Sequence, residues 1–141
     1  MNQYNVDMFI LNKGSYFPDS SLIRIREILV NCDDTCLNKL LSANFKNPTV
    51  GFLFSIGLGI YGIDRFYIGH IIKGIIKLLL FLAFLCCYMV MCIWEDEMLY
   101  LVILFIPLVL GTAIWYILDI FKISKEIKKY NYQLLLTLLN Y

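Results

Sequence analysis

Between residues 48 and 121 ionisable side chains are scarce, and their spacing suits pairing better than catalysis. Asp64 and Arg65 stand side by side. His70, Lys73 and Lys77 follow at i, i+3 and i+7, one face of a helix, and Asp119 closes a long charge-free stretch with Lys122 one turn later. Asp64 and Arg65 admit two readings: a functional ion pair, or a turn in which the acid favours a helix start while Arg65 snorkels to lipid phosphate. Pairing of Arg65 with Asp119 is the sharper expectation, because both fall at the same membrane interface; exchange of the two charges should then restore what either reversal destroys. Arg65, His70, Lys73 and Lys77 are also candidates for anionic lipid headgroups, each cation near such a surface contributing about 1 kcal/mol; ordinary enrichment of basic residues on the cytoplasmic side explains the same pattern.

Other chemistry finds little purchase. The lone histidine has no serine, cysteine or acid at a catalytic spacing, and no Walker loop or dinucleotide-binding glycine pattern opens a helix after a strand. Cys32 and Cys36 lie one helical turn apart without further ligands to complete a zinc site, and Cys86, Cys87 and Cys92 sit in an apolar run, so reduced, packed thiols are expected. No catalytic, cofactor-binding or metal residues are therefore expected, and the chain is not expected to be an enzyme. A net charge of +1 argues against nucleic acid as a partner.

These residues are carried by a chain that belongs in lipid. Hydrophobic residues make up 60% of it and mean hydropathy is +0.73, more than a small soluble core requires. Val50 to Ile63 contains only Ser55 and Tyr61 as polar side chains, Ile75 to Trp94 has Lys77 as its one charge, and Met98 to Leu118 has none. The two latter segments are long enough to span; the first, at 14 residues and about 21 Å as a helix, is short against a hydrocarbon thickness of about 30 Å. Glu95-Asp96-Glu97 makes a tight turn between the spans, Pro107 and Gly111 bend the last, and Trp94, Tyr100, Trp115 and Tyr116 sit near segment ends as interfacial aromatics do.

Residues 1–47 form a small head. Residues 4–11 read as a short strand or an extended arm; Ser21 to Asn31, and a second stretch starting within Asn31 to Asp34 and ending near Ser42 or Asn44, read as two short amphipathic helices. No secretory signal pattern is visible in this head. Asn47-Pro48 begins a new element. Basic residues flank the membrane body at Arg65 to Lys77 and in the tail, residues 122–141, placing both on the cytoplasmic side with the acidic turn outside. A cytoplasmic head then makes the first apolar segment re-entrant or interfacial; if that segment crosses fully, the head lies outside. Leu134 to Leu139, too short to span, is expected along the interface.

The pattern Gly57-x-Gly59-x-x-Gly62-x-Asp64-Arg65-Phe66-Tyr67-x-Gly69, followed by Gly74, resembles the signature of the TM2 domain family, and Gly111 through Asp119 resembles that family's closing pattern. Val6 to Ile10, Phe17-Pro18, Asp33-Asp34 and Phe45 to Thr49 are similar to the head of a bacterial branch. Similar members have a middle about half as long, so residues near Cys86 to Leu108 read as an inserted helical hairpin. The resemblance implies an all-α integral membrane protein of the bacterial cytoplasmic membrane without an established reaction. The expected role is a non-enzymatic membrane interaction or scaffold module, with the lipid bilayer, another copy or another membrane protein as partner. A small oligomeric transporter or pore is the alternative.

Overall fold

The computed structural model describes residues 3–93 and 98–139; the Glu95-Asp96-Glu97 turn and Trp94 lie outside them. The described residues are helical, with no strand among them: α1 (Gln3–Lys13), α2 (Leu22–Val30), α3 (Asp34–Ser42), α4 (Pro48–Leu58), α5 (Ile63–Ile68), α6 (Ile71–Ile93) and α7 (Met98–Leu138). They divide into two compact units. One holds the described residues up to Val50 together with those from Ser124 onward; the other is Gly51–Ile123.

In the first unit, residues 4–11, read as strand or arm, are instead the body of α1. Val6 and Phe9, three apart, place one face in a core with Phe17, Ile25, Leu29, Cys36, Leu40, Phe45 and Leu135. Burial of that face outweighs the β-leaning composition. Phe9, Phe17 and Phe45 meet with ring centroids 5.2 to 6.4 Å apart. The two predicted amphipathic helices are present as α2, preceded by a 3-10 turn at Asp19–Ser21, and α3.

The tail is not the separate element that residues 122–141 led us to expect. Residues 122–138 are the end of α7, and Leu135, expected along an interface, is fully buried in the head core. Asn131, also fully buried, fastens three backbone groups at once. Its Oδ1 accepts from the Lys46 N–H at 2.9 Å, and its Nδ2 donates to the carbonyls of Lys46 at 2.7 Å and Tyr16 at 3.0 Å. Lys46 holds its ammonium 4.4 Å from the centre of the Tyr130 ring, and burial lowers its pKa.

The second unit contains the apolar elements. Asn47 caps α4 by accepting the Thr49 N–H at 2.9 Å, with Pro48 in the first helical position, where its missing N–H costs nothing. At 11 residues α4 is about 17 Å long, too short to cross a bilayer. A 3-10 turn at Gly59–Tyr61 then reverses the chain into α5. Two helices are long and apolar enough to span: α6 through Ile71–Val90, and α7 within Phe105–Leu138. Only 11% of each apolar window is buried, whereas a soluble core helix of that hydropathy would be mostly covered. Of the residues read as an inserted hairpin, Cys86 to Leu108, the described ones lie in the far end of α6 and the near end of α7, close to where the Phe84 and Phe105 rings meet with centroids 4.9 Å apart.

Two predictions follow from the first unit. Replacing Asn131 by Leu strands three buried backbone groups, so chemical unfolding of the protein in detergent should show a loss of about 3 kcal/mol. Burial, followed by hydrogen bonding to Cys32, pushes the Cys36 thiol from 9.0 up to about 12. The folded state therefore binds its proton more tightly than the unfolded chain, and this contribution to stability, complete below pH 9.0, is lost as pH rises towards 12. At neutral pH, maleimide should label Cys36 slowly in the folded protein and rapidly after denaturation, read by mass spectrometry.

Candidate functional site: a buried charge cluster at a glycine corner

The corner between α4 and α6 is shaped by two glycines with positive φ. Gly62, at φ 79°, lets the chain leave the 3-10 turn and enter α5, and a Cβ there would lie 2.6 Å from the Gly74 carbonyl oxygen of α6. No other residue allows this backbone to touch α6 so closely. Gly69, at φ 100°, ends α5 in a Schellman arrangement: the His70 N–H donates to the Arg65 carbonyl at 2.9 Å and the Gly69 N–H to the Phe66 carbonyl at 3.1 Å. Phe66 then lies flat over Gly74, where a Cβ would come within 2.8 Å of its ring. Tyr67 packs edge-on against Phe54, centroids 5.4 Å apart, bringing α5 back onto α4.

Folding α5 against α6 and α7 brings four ionisable residues together. Asp64 (0% exposed), Arg65 (3%), Lys77 (6%) and Asp119 (3%) are all buried. Arg65 grips Asp119 with two donors, Nε to Oδ2 at 3.1 Å and Nη2 to Oδ1, the bidentate form that orients both groups. The Lys77 ammonium lies 2.8 Å from Asp64 Oδ2 and 2.5 Å from Asp119 Oδ2. Arg65 Nε is also 3.7 Å from Asp64 Oδ2. Two cations and two anions thus cancel, with Asp119 shared. Asp64 Oδ1 and Ser55 Oγ are buried with no hydrogen-bond partner among the described residues.

The expected Arg65–Asp119 pair is formed. The headgroup assignment of Arg65 and Lys77 is corrected, since both are buried in the cluster and cannot reach phosphate; His70 and Lys73 are exposed. Lys77 points inward because position 77 lies one turn after Gly74, on the face of α6 that α5 covers. Of the other motif residues, Gly59 admits the Tyr116 ring, which a Cβ would approach to 3.1 Å, while Gly57 has open space around it. Tyr116 donates to the Ile56 carbonyl at 2.5 Å, satisfying an acceptor in the last turn of α4 that has no partner in its own helix. Tyr116 was expected only as an interfacial aromatic, and Asn131 was not singled out.

Residues 44–94 match the family model of the TM2 domain. The match covers α4, the corner and α6, so the TM2 signature coincides with the glycines and with three of the four clustered charges. The closing pattern from Gly111 to Asp119 lies beyond the matched residues, yet it supplies the fourth charge. No curated protein and no solved structure matches the chain. Together with the two apolar helices, the TM2 domain makes this a small membrane protein.

The four-charge arrangement alters the outcome expected of a charge exchange. Exchanging Arg65 and Asp119 sets the transplanted cation beside Lys77 and the transplanted acid beside Asp64, so the exchange should fail to restore stability. Either Arg65→Met or Asp119→Leu alone leaves an uncompensated buried charge and should cost about 3–5 kcal/mol in mixed-micelle unfolding. The double variant R65M/D119L leaves Lys77 and Asp64 as a neutral pair and should recover most of that loss.

Proposed function

We propose that this TM2 protein is a non-enzymatic membrane interaction or scaffold module of the bacterial cytoplasmic membrane. The observation that carries the reading is the contrast between its inside and its outside. Four charges of the membrane body neutralise one another in a buried corner, while α6 and α7 leave large apolar side chains exposed along their length, among them Ile72, Leu79, Ile103 and Ile114. Such faces pack against lipid and against other membrane helices, from a second copy or another protein. Similarity of the head to that of bacterial family members supports the location.

The alternative is a small oligomeric transporter or pore. Buried ionisable residues in membrane segments often mark ion paths, which gives it one specific support in Asp64, Arg65, Lys77 and Asp119. Single-molecule photobleaching in proteoliposomes, combined with an ion-flux assay on the same preparation, separates the two. The scaffold reading expects multi-step bleaching at low protein-to-lipid ratio and flux equal to protein-free vesicles. Flux that scales with protein content and disappears in K77M would replace it with the transport reading.

A further inference from the structure

A cavity of about 310 Å³ opens beside the charge cluster, between α6, α7 and the 3-10 turn. Its volume lies in the range of small-molecule sites. Lys77 and Tyr116 line one end, Phe81 and Ala113 the middle, and Phe84 and Val109 the other end, so the cavity follows α6 for about 10 Å. Its walls are mostly apolar: Lys77 and Tyr116 bring polar groups to one end, and the Thr112 hydroxyl, midway, is engaged by the Leu108 and Val109 carbonyls of its own helix.

Two further observations identify what fits. Lys77 has three N–H donors and, among the described residues, two acceptors, Asp64 Oδ2 and Asp119 Oδ2. One donor of a buried ammonium therefore has capacity for an acceptor at the cavity's polar end. In addition, Lys73 stands one helical turn before Lys77 on the same stripe of α6 that continues through Phe81 and Phe84, and it is exposed. A cation outside the mouth, a donor at the mouth and an apolar slot beyond it repeat the order of phosphate, ester carbonyl and acyl chain in a phospholipid.

We propose that this crevice is a binding site for one anionic phospholipid. One acyl chain lies between α6 and α7 from Ala113 towards Phe84, an ester carbonyl accepts the third Lys77 N–H, and the phosphate meets Lys73. The exposed position of Lys73 gives a headgroup preference that is separable from chain binding, and the small side chain of Ala113 leaves the slot open. The site is independent of the scaffold reading, which concerns the outer faces of the same helices.

Spin-labelled phosphatidylglycerol and phosphatidylcholine in proteoliposomes of the full chain test this. The expected result is one motionally restricted lipid per chain in excess of the boundary shell on the outer faces of α6 and α7, with that extra lipid at least threefold richer in phosphatidylglycerol. K73Q, an exposed change that leaves the cavity intact, should abolish the preference while keeping the extra lipid. A113F, which fills the slot, should remove the extra lipid for both headgroups and leave the boundary shell, with unchanged helicity by circular dichroism. Equal restriction of both lipids by the wild-type protein would overturn the proposal, as would full retention in A113F. If A113F instead changes the number of copies per complex and leaves lipid restriction untouched, a second copy occupies the crevice and the lipid assignment is wrong.

Discussion

Charge neutrality in an apolar body is the constraint from which the rest of the membrane unit follows. An isolated carboxylate or ammonium placed among the side chains around this corner would cost several kcal/mol even after relaxation. Four charges, each within hydrogen-bond length of at least one opposite charge, escape most of that penalty, but only when three separate elements arrive together: α5 with Asp64 and Arg65, α6 with Lys77 and α7 with Asp119. The cluster therefore reports on assembly as much as it stabilises. Displacing α6 or α7 leaves an odd charge in a medium that cannot solvate it, so competing registers of these two helices are penalised more heavily than apolar packing alone would achieve.

The glycine corner makes that geometry reachable. Gly62 gives α5 a backbone-to-backbone approach to α6, and Gly69 turns the chain sharply enough for α6 to begin two residues later. Without side chains at these points the short α5 can lie across the start of α6 and deliver Asp64 and Arg65 inward. The tyrosine at 116 performs a related service, tying α7 to the Ile56 carbonyl in the last turn of α4.

How much of this could be read from the sequence depended on the range of the interaction. The Arg65–Asp119 pair was legible because each residue ends a charge-free apolar stretch, so complementary charges at a common level have few other partners. Lys77 was misassigned because a basic residue near a span end fits the headgroup pattern equally well, and its inward direction is set by α5, an element of six residues that hydropathy does not reveal. The short first segment was visible from length alone. By contrast, Asn131 meets a loop 85 positions away and the tail enters the head core, and neither leaves a local trace in composition or spacing. α1 was ambiguous for a different reason: its Val6 and Phe9 face is helical in period but too brief to outweigh β-branched and aromatic content before its partners are known.

The extended hairpin of α6 and α7 has a geometric consequence for divergence. Its arms are tied at the cluster and touch again at Phe84 and Phe105, so residues cannot be added to one arm alone without breaking the facing register. Growth must come as matched turns, each about 5.4 Å per arm. A corner fixed by charge with a hairpin that lengthens in paired steps behaves as an adjustable ruler: the same buried quartet can be set in bilayers of different thickness by changing only the far end.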